Sequence, residues 1–257
     1  MTDTQLGPAL VTGASGGIGG ATARMLASQG RAVALCAYSH VDAAEAIAEE
    51  IREGGIRAEV FQADLTQREE AEQLVERVLA ALGDLEVLVG NAGIDVIAPT
   101  NTADYGDDLW DQMLAIHLTA PFAMARAAIP HFLERGSGVI INVASIAGKV
   151  AWPGNCGYNA AKAGMINLTR TIATEYASQG IRANTVCPGI IATQMSWNYI
   201  NASEDPAEAE RIAHAAQPMG RMGTAEEVAA VIAFLASPAA SYVTGTEFVA
   251  DGGYLSV

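Results

Sequence analysis

Thr12-Gly13-Ala14-Ser15-Gly16-Gly17-Ile18-Gly19 follows an apolar run at residues 9–12 and opens onto an amphipathic stretch at 18–29. A strand, a glycine-rich turn and a helix amino terminus in that order make an anion site. Backbone N–H groups point outward, the helix dipole is positive there, and missing β-carbons let a phosphate come close. The spacing Gly13-x-x-x-Gly17-x-Gly19 is not the G-x-G-x-x-G fingerprint. The expectation of nucleotide binding therefore rests on the strand before the turn and the helix after it.

The same rhythm continues in both directions. Strand candidates fall at residues 9–12, 32–37, 58–62, 87–91, 138–143, 182–186 and 247–249, with amphipathic stretches at 18–29, 41–53, 67–82, 109–134, 159–179 and 225–236. The strands are near-continuous hydrophobic runs, as expected where helices cover both faces of a parallel sheet. Regular alternation predicts a single-domain, doubly wound α/β fold of about seven strands, with ligands at the carboxyl ends of the strands. Residues 190–221 break the pattern. This segment holds Met195, Trp197, Tyr199 and Ile200, then an acidic stretch from Glu204 to Glu210, and reads as a substrate-binding lid.

Composition narrows the function. The chain has 257 residues, 51% hydrophobic and 17% charged, with a net charge of −15. That balance argues against nucleic acid and anionic membrane, which need a basic footprint. No apolar run approaches the ~18 residues of a membrane span, and Met1-Thr2-Asp3-Thr4-Gln5 shows no signal peptide. The three cysteines, Cys36, Cys156 and Cys187, form no Cys-x-x-Cys pair. Cys36 and Cys187 lie in strand-like runs and read as buried thiols; a reducing, cytoplasmic setting is expected. Four histidines without ligand spacing give no metal site.

Tyr158 and Lys162 stand four residues apart, which on a helix places them on one face. An ammonium there favours the neighbouring phenolate. Bringing a tyrosine from ~10 to about 7 requires roughly 4 kcal/mol. Tyr158 would then serve as general acid and base, with the Ser145 hydroxyl holding a carbonyl oxygen. Two further turns fall at strand ends: Asp64, able to accept from an adenine amino group, and Asn91-Ala92-Gly93, a small flat surface for ribose and adenine. Taken singly, each suits a cap or a turn equally well.

Together, Thr12–Gly19, Asp64, Asn91-Ala92-Gly93, Ser145, Tyr158 with Lys162, Pro188-Gly189 with Thr193, and Asp251-Gly252-Gly253 resemble the short-chain dehydrogenase/reductase family over essentially the full length. The resemblance implies a bound nicotinamide dinucleotide and hydride transfer to or from a carbonyl or alcohol carbon. Tyr158 would transfer the proton, Ser145 orient the oxygen, and Lys162 lower the tyrosine pKa while holding the nicotinamide ribose. Pro188, Gly189, Ile191 and Thr193 would position the carboxamide, Gly13, Ser15, Gly17, Ile18 and Gly19 the phosphates, and Asp64, Leu65 and residues 91–93 the adenosine. One position departs. Where the family carries an asparagine supporting a water-linked proton path to the lysine, this chain has His117; an imidazole can relay a proton or simply satisfy a local backbone group.

An acidic residue at the end of the second strand normally binds the ribose 2′-OH of NAD. Here the run is Leu35-Cys36-Ala37-Tyr38-Ser39-His40, with no carboxylate and with Ser39 and His40 able to meet a phosphate. NADP(H) is favoured over NAD(H) on the missing repulsion. Met195, Trp197 and Tyr199, with Ile94, Val96 and Trp152, suggest an apolar pocket for a small to medium neutral ketone or secondary alcohol; Arg221 and Lys149 stand at its margins. The resemblance implies a homotetramer, or a homodimer, built through the two long helices. A catalytically weak dinucleotide-binding regulator is the alternative reading. A sugar-nucleotide epimerase of the same fold would carry a further substrate domain, for which no segment is seen.

Overall fold

Side chains along the first strand, β1 (Ala9–Thr12), alternate between faces, and both faces are apolar. Ala9 and Val11 join one core, and Leu10 joins the other. The same division runs through the whole computed structural model, which describes residues 6–94 and 99–257. The remaining strands are β2 (Val33–Ala37), β3 (Ala58–Gln62), β4 (Val87–Gly90), β5 (Gly138–Val143), β6 (Ile181–Pro188) and β7 (Glu247–Ala250). They form one seven-stranded parallel sheet in the order β3-β2-β1-β4-β5-β6-β7.

The helices are α1 (Gly17–Ser28), α2 (Val41–Glu53), α3 (Arg68–Leu82), α4 (Asp107–Leu114), α5 (Ala120–Arg135), α6 (Cys156–Tyr176), α7 (Gln194–Asn201), α8 (Pro206–Ala215) and α9 (Ala225–Ala236). α1, α2 and α9 cover one face of the sheet through Leu26, Ile47 and Ile232. α3, α5 and α6 cover the other through Leu74, Phe132 and Ile172. Burying a leucine- or phenylalanine-sized side chain contributes about 1.5–3 kcal/mol, so these two layers hold the sheet between them.

The strand order reverses between β1 and β4, since the chain runs outward to β3 and then returns to the other side. Loops leaving adjacent strands there diverge and open a crevice at the carboxyl ends. The opposite end of the sheet is clasped by Arg31, which is fully buried. Its Nη1 donates to Gly7 O at 2.6 Å and Glu86 Oε2 at 3.0 Å, and its Nη2 to Ala236 O at 2.8 Å.

The expected long helix at 109–134 is two α-helices joined by a single π turn, Ala115–Thr119. As one continuous stretch, Asp107–Arg135 is long and apolar enough to cross a bilayer by length and composition, contrary to the sequence expectation. Half of its most apolar window is buried, however, with α4 packed on α6 and α5 on α3, as in a core helix. The segment expected as a lid folds as α7 and α8 around a small core of Ile200, Ala213 and Met222. Cys36 and Cys187 are buried thiols as expected, pushed up by burial to about 12 and about 11.

Candidate active site

A cleft of about 880 Å³ runs along the carboxyl ends of the strands on both sides of the switch point. Its floor begins at the glycine loop. Gly19 must lack a side chain, because a β-carbon there would lie 2.2 Å from Gly13 O and 2.6 Å from Asn91 Nδ2. α1 starts at Gly17 with no side-chain cap and no acidic residue in its first turn. Its first N–H groups are therefore left for an anion.

Two residues brace this loop against β4. Asn91 Nδ2 donates to Thr12 O at 2.9 Å, and the N–H groups of Asn91 and Ala92 both donate to Thr12 Oγ1 at 3.0 Å. Thr12, at the end of β1, stands first in the motif but was given no role of its own from the sequence; its position directly before the glycines is the signal that could have marked it. Asn91 thus has a bracing role beyond the flat surface expected of residues 91–93.

The cleft is lined by Ser15, Ile18, Tyr38, Ser39, His40, Asp64, Leu65, Ala92, Gly93, Pro188, Gly189, Ile191 and Thr193, so the expected cofactor residues converge on one space. Asp64 Oδ1 accepts from Thr66 N at 2.9 Å and Thr66 Oγ1 at 2.7 Å, the turn-forming role weighed for it. At the end of β2, Ser39 Oγ lies 2.9 Å from His40 Nδ1, and Tyr38 is exposed. A dinucleotide fits this donor set: a glycine-rich phosphate loop, an uncapped helix start, and no carboxylate at residues 37–40.

At the far end of the cleft stand Ser145, Tyr158 and Lys162. Tyr158 lies in the first turn of α6 and Lys162 one turn later, on the same face. Lys162 is buried; its Nζ donates to Val143 O at 2.8 Å and sits 5.5 Å from the centre of the Tyr158 ring. Burial pulls this amine down from 10.5 to about 7. The full ammonium expected from the spacing is therefore a group poised near neutrality. Ser145 follows β5, and its Oγ accepts from Ala147 N at 3.1 Å, which fixes the hydroxyl's position.

His117 sits in the π turn, and its ring meets that of Tyr158 edge to face at 4.9 Å. Nε2 lies 3.1 Å from Ile94 O, so the hydrogen is assigned to Nε2, and Nδ1 is left as a buried acceptor without a partner among the described residues. Burial, reinforced by Lys162, holds the imidazole well below its ordinary pKa, so it is neutral. Nε2 thus makes a local backbone bond, one of the two roles weighed for His117.

A second cavity, of about 630 Å³, adjoins the first and shares with it Ile94, Ser145, Tyr158, Gly189, Met195 and Ser196. Trp152, Tyr199 and Ile200 line it as well. Three expectations need correction. Trp197 does not line it but packs into the lid's own core beside Ile200. Arg221 is held on Glu227 at 2.6 and 2.9 Å, and Lys149 on Glu247, so neither reaches inward. Val96 lies outside the described residues. Tyr254 was missed: it lines this cavity and stacks on Trp152, with ring centroids 6.3 Å apart. Asp251 turns the chain back there by accepting from Gly253 N and Leu255 N, both at 2.8 Å. The Asp251-Gly252-Gly253 motif was the available signal, with both glycines at positive φ.

A parallel sheet with a phosphate loop at its switch point and a serine, tyrosine and lysine at the cleft's end defines a dinucleotide-dependent oxidoreductase. Residues 13–255 match the adh_short_C2 family model, described as enoyl-(acyl carrier protein) reductase. The chain is 42% identical to cis-4-hydroxycyclohexanecarboxylate dehydrogenase of Sinomonas cyclohexanicum, covering 97% of this chain and 96% of that one. It is 39% identical to 3beta-hydroxysteroid dehydrogenase 1 of Eggerthella lenta, covering 95% and 92%. Acetoin dehydrogenase from Enterobacter cloacae superposes with a TM-score of 0.88 at 32% identity, covering 98% and 97%. The chain belongs to the short-chain dehydrogenase/reductase family and is an NAD(P)(H)-dependent oxidoreductase acting on CH–OH and C=O groups.

Proposed function

We propose that the protein interconverts a small to medium ketone and its secondary alcohol, with Tyr158 as general acid and base, and prefers NADP(H). The observation that carries this reading is the junction of the two cavities at Ser145 and Tyr158. The dinucleotide, held by the glycine loop, residues 38–40, Asp64, Leu65, Lys162 and residues 188–193, supplies or accepts the hydride. The protein positions and polarises the substrate. The Ser145 hydroxyl donates to the substrate oxygen and fixes its approach. The Tyr158 hydroxyl gives its proton to that oxygen on reduction and takes it back on oxidation. Lys162, when charged, favours the phenolate. His117 holds the Tyr158 ring from its edge, and its Nδ1 is available to a proton relay.

The NADP(H) preference is supported by Ala37, which stands where a carboxylate would repel a 2′-phosphate, and by Ser39 and His40 beside it. Turnover with NADPH should exceed that with NADH at equal concentration, and a strong preference for NADH would reverse this assignment. The reading extends to a cytoplasmic homotetramer; Trp110, Phe122 and Leu133, exposed along Asp107–Arg135, support burial of that surface between copies. The ring common to the substrates named for two relatives, a hydroxycyclohexane acid and a 3β-hydroxysteroid, supports a ring-bearing alcohol or ketone; the carboxylate of the first is not carried over to this chain.

Replacing Tyr158 by Phe removes the hydroxyl that carries the transferable proton and leaves the ring in place. Turnover should fall by about 10²–10⁴ while cofactor affinity holds. Retention of turnover within tenfold would show that the proton moves elsewhere. Cofactor binding with no turnover by the natural protein, across a broad carbonyl panel, would favour the regulatory alternative.

A further inference from the structure

We infer, resting on the oxidoreductase reading above, that the second cavity admits uncharged ring ketones and alcohols and rejects their carboxylate and phosphate counterparts. Among the described residues, no Lys, Arg, His, Asp or Glu lines it. Residues 95–98, outside the described set, read Asp-Val-Ile-Ala and contain no base whatever their placement. An anion entering this space meets no cation, and an unpaired buried charge is strongly disfavoured.

Three basic side chains on segments near the cavity already hold carboxylates. Arg221 holds Glu227 through both terminal nitrogens at 2.6 and 2.9 Å, Arg211 holds Glu208 at 2.6 and 2.7 Å, and Lys149 holds Glu247. Turning one of them toward a substrate carboxylate would exchange one carboxylate partner for another and bury the new pair. A net charge of −15 adds a repulsive field at the entrance.

Apolar shape supplies the positive selection. Trp152 and Tyr254, 17° from parallel, line the cavity together with the lid residues Ile200 and Ile212. Polar groups are concentrated at the reacting end, where Ser145 and Tyr158 meet the carbonyl. A hydrocarbon ring with one oxygen matches this division. Tyr254 and Trp152 are thus specificity-determining residues, while Ser145 and Tyr158, where the two cavities meet, carry the proton transfer.

The test uses a matched pair, 4-oxocyclohexanecarboxylate and its ethyl ester, at pH 7.5 with NADPH and with NADH. The ester should exceed the acid in kcat/KM by 100-fold or more. Ile212→Lys places an ammonium on the lid wall without touching Ser145, Tyr158 or Lys162; it should narrow that ratio at least tenfold by raising turnover of the acid. A ratio under fivefold in the natural protein overturns the inference. Calorimetric binding of both compounds to the protein–cofactor complex separates this result from the chemistry. Ester binding without turnover supports the selection and refutes the proposed reaction. Acid binding as tight as ester, or binding of neither, overturns the selection.

Discussion

Lys162→Met should stabilise the protein near neutral pH while abolishing efficient turnover. Burial brings the Lys162 amine from 10.5 to about 7. Each factor of ten in acidity is ~1.36 kcal/mol, so keeping the buried group charged costs roughly 5 kcal/mol relative to the unfolded chain. Between pH 7 and 10.5 the unfolded chain holds this proton and the folded protein releases it. The unfolded state binds more protons there, and stability rises with pH. Methionine matches the stem and carries no charge, but it loses the bond to Val143 O, which offsets about 1–3 kcal/mol. The variant should therefore be more stable by about 2–4 kcal/mol at pH 6.5, and the advantage should vanish by about pH 9.5. Urea unfolding at pH 6.5, 8 and 9.5 measures it. A variant less stable than the natural protein at pH 6.5, or a gap independent of pH, would refute the argument that a costly buried amine is retained for chemistry.

Two other substitutions probe opposite ends of the sheet. Gly19→Ala drives a β-carbon to 2.2 Å from Gly13 O, so the phosphate loop must shift. An overpacking cost of about 2 kcal/mol corresponds to roughly thirtyfold in Kd for NADPH. Fluorescence titration reads this directly, and an unchanged Kd would separate the loop from the cofactor. Arg31→Met keeps the stem and removes the bonds to Gly7, Glu86 and Ala236. Breaking such a buried pair costs about 3 kcal/mol, a fall in Tm of roughly 6–12 °C for a chain of this size. Calorimetry should show that fall with kcat unaltered at 20 °C, because the clasp lies at the far end of the strands; a Tm within 2 °C of the natural value would remove Arg31 from the fold's support.

Most of the architecture was readable from local pattern. The seven strands are found where apolar runs fall, because burial on both faces of a parallel sheet leaves an unbroken signature, as in Val33–Ala37. Tyr158 and Lys162 were readable because helical spacing alone brings them together. The Trp152–Tyr254 stack was not, since its members are far apart in sequence and meet only through the turn at Asp251. Nor was the loss of Trp197 to the lid's core, because an aromatic residue suits a cavity wall and a packed interior equally well. The engagement of Arg221 by Glu227 likewise depends on a capping box at Thr224 that brings the carboxylate to it.

The π turn at Ala115–Thr119 shifts the angular register between the two helices it joins. An α-helix advances roughly 100° per residue, so a one-residue deletion there would swing His117 away from the Tyr158 ring unless α5 turned with it. α5 is locked against α3, while α4 rests on α6 beside the catalytic tyrosine. Substitutions in α4 therefore act on the tyrosine's surroundings through the contact between α4 and α6.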